Sequence, residues 1–70
     1  MDYLERMKEE LKELDEKIDK LTKFLTKEIK KNELTDEAQR TMMHVQRMYM
    51  IDYSEALKAR IKYEEFKRQG

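Results

Sequence analysis

Leu4, Met7, Leu11, Leu14, Ile18, Leu21 and Leu25 recur at alternating intervals of three and four. That spacing keeps side chains on one narrow seam of a helix, with the intervening positions left to solvent. The pattern predicts a first helix over about residues 2–31. Charge agrees with it: residues 2–19 hold eight acids and four bases, residues 20–31 five lysines and one acid, the polarity that a helix dipole favours. Lys31-Asn32-Glu33-Leu34-Thr35-Asp36 breaks the periodicity. Asn32 suits a left-handed helix terminus, Thr35 or Asp36 an N-cap, and Asp36 with Gln39 a capping box. A link of a few residues folds the second helix, about 36–68, back antiparallel to the first, each roughly 40 to 50 Å long at about 1.5 Å per residue.

Helix 2 is not one-faced. At about 100° per residue, Ala38, Met42, Val45, Tyr49, Ala56 and Tyr63 make one stripe, and Met43, Met50, Tyr53, Leu57 and Ile61 a second beside it, with Ile51 alone on an otherwise polar face. Helix 1 covers one stripe and leaves the other in water, where a partner is the natural cover and a second copy the simplest partner. The fold expected is therefore all-α: one antiparallel hairpin over residues 1–70, assembled into a homo-oligomeric bundle, at least a dimer, with helix 2 central and helix 1 outside.

Composition narrows the function classes. The chain has 16 Lys+Arg, 16 Asp+Glu, one Gly, no Pro and no Cys in 70 residues, one short helical unit rather than two cores. Balanced charge with periodic apolar residues argues for a folded chain over a disordered one. Without cysteine there is no thiol nucleophile or disulfide, and the usual structural zinc sites are missing. The longest apolar run, Met48-Tyr49-Met50-Ile51, is no signal sequence or membrane span, so the expected location is the cytoplasm, away from membranes. Zero net charge and the lack of a continuous basic track argue against nucleic-acid binding.

Chemistry has few candidates. His44, the one histidine, has no metal-ligand spacing around it and reads as a solvated side chain; neither metal nor cofactor is expected. Ser54 and Thr41 lack the partners of a nucleophile, paired carboxylates such as Glu9-Glu10 and Glu64-Glu65 lie on charged faces, and no enzyme is expected. The six methionines read as adaptable packing. Two anomalies remain. The loop end gathers Lys20, Lys23, Lys27, Lys30 and Lys31 with Arg40, His44 and Arg47. There the start of helix 2 and the hydroxyls of Thr22, Thr26 and Thr41 add donors for an anion. Glu28, Glu33, Asp36 and Glu37 oppose it, and the lysines also serve as simple dipole complements. Second, Gln46, Asp52, Arg60 and Glu64 interrupt the apolar arc. They set a register, Arg60 pairing with Glu64 or with Asp52 of another chain, or else Arg60 with Tyr49, Tyr53 or Tyr63 grips a ligand, guanidinium on phosphate and ring on base. The candidate ligand residues are Arg40, His44, Arg47, Tyr49, Tyr53 and Arg60.

The helix 2 series Met43, Gln46, Met50, Tyr53, Leu57 and Arg60-Ile61 is similar to short phage-encoded hairpin proteins related to those of crAss-like phages. Arg6-Met7, Leu14, Lys17-Ile18, Lys20-Leu21 and Phe24-Leu25 of helix 1, and the Leu34-to-Gln39 opening of helix 2, agree with it. The resemblance implies a phage or prophage origin and a helical hairpin. More loosely, Met42-Met43 and Ala59-Arg60-Ile61 resemble the hairpin of phage anti-CBASS and anti-Thoeris sponge proteins, which oligomerise and sequester cyclic oligonucleotide or ADP-ribose-derived signals between subunits. That implies a non-catalytic anti-defence protein with a cyclic nucleotide ligand. The alternative is a protein-binding module that docks the exposed stripe of helix 2 on a host immune protein or another host or phage protein.

Overall fold

A computed structural model describes residues 2–69 as two helices, α1 (Tyr3–Lys31) and α2 (Glu37–Gln69), packed side by side in a rod of 53 × 18 × 15 Å. Cross-helix partners fix the antiparallel sense: Asp2 meets Arg68, Tyr3 meets Arg60, Asp15 meets Ser54 and Thr22 meets Arg47. The two-helix hairpin and its boundaries match the sequence pattern to within one residue.

Three helix ends carry clear caps, and those at Asn32 and Asp36 are the ones that the sequence predicts. Asp2 caps α1, its side chain accepting the Glu5 backbone N–H at 2.9 Å. Asn32 ends α1 in the left-handed region (φ 51°, ψ 44°), with its N–H on the Glu28 carbonyl. Asp36 and Gln39 form a reciprocal capping box at the start of α2: Gln39 N–H donates to Asp36 Oδ1 at 2.8 Å and Asp36 N–H to Gln39 Oε1 at 2.9 Å.

The core is thin. Met7, Leu57 and Ile61 are buried together toward the open end, with Leu4 and Leu11 packed against them, and Leu25 is buried nearer the loop. At roughly 2 kcal/mol for each fully buried aliphatic side chain, this is a small store of stability for two long helices. The α1 seam is as the pattern has it, but the α2 seam differs. Met43, Met50, Leu57 and Ile61 face α1, joined by Arg47, Ser54 and the half-buried Glu64, while Tyr53 lies at the margin, 45% exposed. Ile51, read from the sequence as isolated, is half-buried beside the seam. Residues 43, 47, 50, 54, 57, 61 and 64 of α2 alternate by four and three. Ser54 and Arg47 hold seam positions because each finds a partner across the helices: Ser54, 3% exposed, donates to Asp15 Oδ1 at 3.0 Å, and Arg47 Nε to Thr22 Oγ1 at 2.6 Å, while Glu64 is met by Arg68 of its own helix.

Candidate ligand site

At the loop end, several of the donors that the sequence offers to an anion are already engaged, while Lys20, Lys27, Lys30 and Lys31 stand exposed. Of the N–H groups that open α2, that of Gln39 is taken by Asp36 in the capping box. The hydroxyls of Thr22, Thr26 and Thr41 each donate to the carbonyl four residues back, Ile18, Thr22 and Glu37, at 2.7–2.9 Å, the usual back-bond of a threonine inside a helix. Arg40 folds over the loop, donating to Asn32 Oδ1 and to the Thr35 carbonyl. Arg47 bonds Thr22, and His44 stands exposed beside it along a shallow cleft of about 220 Å³.

Glu28 explains why this end is ordered. It is 2% exposed, and its Oε2 accepts three hydrogen bonds, from Leu34 N–H, Thr35 N–H and the Thr35 hydroxyl, at 2.8–3.0 Å. The Thr35 hydroxyl, then the two N–H groups and the charge of Arg40, hold its carboxyl below the ordinary glutamate range against the opposing effect of burial. From the sequence Glu28 reads only as an acid opposing an anion site. Its spacing of three from Leu25 continues the α1 seam and is the signal that places it inside.

The open end is differently built. Arg60 lies with its guanidinium carbon 5.8 Å from the centre of the Tyr3 ring and donates to the Tyr3 hydroxyl. About two turns onward, Lys67 Nζ lies 5.8 Å from the centre of the Tyr63 ring. Tyr3, Ala59, Arg60, Tyr63, Glu64 and Lys67 line an open groove of about 520 Å³ between these two cation–aromatic pairs. Of the five N–H donors of a guanidinium, one has a partner among the described residues, and the Tyr3 hydroxyl is the main influence holding Arg60 above its ordinary range and so fully charged. Tyr53, beside this cluster, donates to Glu10, and that bond is the main reason its phenol is held protonated above the ordinary tyrosine range.

The six candidate residues therefore do not converge within one chain. Arg40, His44 and Arg47 mark the loop end and Arg60 the groove, some 30 Å along α2 from Arg40 at about 1.5 Å per residue. Tyr53 sits near Arg60. Tyr49 is 71% exposed on the outward face, about 16 Å along α2 from Arg60 by the same rise. Arg60 does not pair with Glu64, as the sequence suggested; Glu64 accepts from Arg68 at 3.3 Å because Arg68 also reaches Asp2 at 3.1 Å, which seats it across the helix ends. Asp52 is exposed on the outward face. Tyr3 and Lys67 were not singled out from the sequence, and Ala59 only as part of the Ala59-Arg60-Ile61 resemblance. Tyr3 precedes the seam and acquires a role only when the hairpin brings it against Arg60.

The family model of Sequestin matches residues 1–63. The chain belongs to the Sequestin family. No curated protein and no solved structure matches it. The Sequestin match takes in both helices, the buried Glu28 staple and the groove residues Tyr3, Ala59, Arg60 and Tyr63, while Lys67 and Arg68 follow it. The Sequestin name denotes sequestration of a ligand or partner. Among the described residues no helix is long and apolar enough to cross a membrane, and no group of three His, Cys, Asp or Glu gathers as for a metal ion.

Proposed function

We propose that this protein is a non-catalytic phage accessory protein that sequesters a small anionic signal, a cyclic oligonucleotide or a related nucleotide, between subunits of a helical oligomer, and so withholds it from a host defence. The observation that carries this reading is the open-end groove, where two cations already lie over two tyrosine rings. Arginine offers phosphate oxygens a planar fork of donors, and a tyrosine ring offers a base a face to stack on. Arg60 is held in place by Tyr3 before any ligand arrives, which reduces the ordering that binding requires. Capture without turnover needs no nucleophile and no general base. A family whose name denotes sequestration fits that outline.

Calorimetric titration against cyclic di- and trinucleotides and cyclic ADP-ribose isomers tests the reading. We expect a ligand with micromolar or tighter affinity, and Arg60→Ala weakens it roughly 10- to 100-fold, the range of a charge-assisted hydrogen bond, with helix content by circular dichroism unchanged. A wild-type chain that gives no heat with any of the panel, but is retained by a host protein through the outward face of α2, belongs instead to the protein-binding reading, which the exposed Met42, Tyr49 and Phe66 favour.

A further inference from the structure

The face of α2 turned away from α1 carries a second, complete coiled-coil seam. From Ala38 to Phe66 its positions alternate by four and three without a break, nine residues in all, every one exposed and only Asp52 charged. At about 1.5 Å per residue this seam runs some 40 Å. It lies almost opposite the α1-facing seam, not beside it as the helical projection of the sequence had suggested.

We infer that this seam is where a second copy of the chain packs, with the two α2 helices antiparallel. Two observations on the chain select that occupant and that sense. The exposed Met42, Tyr49, Tyr63 and Phe66, with the smaller seam residues between them, offer on the order of 700 Å² per chain, close to the roughly 800 Å² per partner of a standard interface. The sizes are lopsided, with Met42, Val45 and Tyr49 in one half and Ala56 and Ala59 beginning the other. Antiparallel packing centred near residue 54 sets Tyr49 against the partner copy's Ala59, Asp52 against its Ala56, Val45 against its Tyr63 and Met42 against its Phe66, so that the contacts shrink gradually from the ends to the middle. Parallel packing would stack alanine on alanine and tyrosine on tyrosine, and two helices cannot be both near and far within three turns.

The ligand groove is incomplete without this partner, a statement that rests on the sequestration reading. Ala59 and Tyr63 belong both to the groove and to the seam. The arriving copy therefore sets its Tyr49 over Ala59, a third ring next to Arg60, and brings together two of the candidate residues that one chain keeps apart. Each dimer then holds two equivalent sites, their Arg60 residues some 18 Å apart along α2 at about 1.5 Å per residue, and binds one ligand per chain.

The chain has no cysteine, so single introduced thiols report on the pairing without background. Tyr49→Cys and Ala59→Cys chains are oxidised separately and as a mixture, helix content being checked by circular dichroism. Antiparallel pairing gives a covalent dimer in the mixture and almost none in either chain alone, because facing positions fall within disulfide reach and like positions do not. Covalent dimers of each chain alone, without the mixed species, would overturn the antiparallel sense. No covalent dimer in any tube, together with a wild-type chain that sediments as a monomer, would overturn the docking altogether. A mixed dimer, together with a wild-type chain that gives no heat with any nucleotide, would support the docking while removing the sequestration reading. Heat on titration from an uncrosslinkable monomer would do the reverse.

Discussion

Glu28 is the residue on which the loop depends, because a buried carboxylate with three donors around it is stable only while ionised. Its folded-state pKa is depressed, so the stability it adds is fully present above the ordinary glutamate value and is lost as the pH falls through the lower, folded one. Asp2, depressed first by the Glu5 N–H and then by Arg68, titrates in the same sense at the other end. Thermal melts from pH 7 to pH 3 should therefore be flat near neutrality and fall below about pH 4.5. Glu28→Gln should lower the midpoint at pH 7 by roughly 5–10 °C, given how strongly small domains respond to a lost interaction, and the gap to wild type should close on acidification. A gap that persisted at pH 3 would assign Glu28 a packing role independent of its charge. The seam spacing from Leu25 to Glu28 was visible in the sequence; its donors were not, because Leu34 and Thr35 reach it only after the chain has turned.

At the scale of the element, α1 and α2 were legible because their ends carry side chains with local work to do. Asp2, Asn32, Asp36 and Gln39 bond backbone groups within four residues of themselves, and short-range chemistry of this kind is written in adjacent letters. Asn32 makes it testable. Glycine accepts a φ of 51° without a Cβ clash, while a β-branched residue does not. Asn32→Gly should leave the melting midpoint within a few degrees of wild type and Asn32→Val should lower it by roughly 5–10 °C, in proportion to about 1 to 2 kcal/mol of backbone strain. Equal midpoints would show that the turn adopts another geometry in solution. The α2 seam was harder to read. Arg47 and Ser54 look like solvent-facing residues until Thr22 and Asp15 are set opposite them, and Tyr53 looks like core until the helix rotates it to the margin.

For the whole molecule, the balance between a thin inner seam and a long outer one decides behaviour. A chain whose stability depends on a second copy melts at a temperature that rises with its concentration. We expect the midpoint to climb by several degrees over a hundredfold range of concentration and Tyr49→Glu, which sets a charge in the outer seam, to remove that dependence while leaving the dilute midpoint unchanged. A wild-type midpoint independent of concentration would favour a heterologous partner for the same face.

By itself the sequence determined the two helices, their ends, the hairpin sense and the surplus of apolar face on α2, since each follows from periodicity and from side chains acting on nearby backbone. Only the tertiary structure decided which residues of α2 meet α1, how Glu28 closes the loop, and that Tyr3 seats Arg60. Those outcomes depend on the rotation and offset of one helix against the other, which join residues as many as 66 positions apart. Helical spacing records which residues share a face. It does not record what that face will meet.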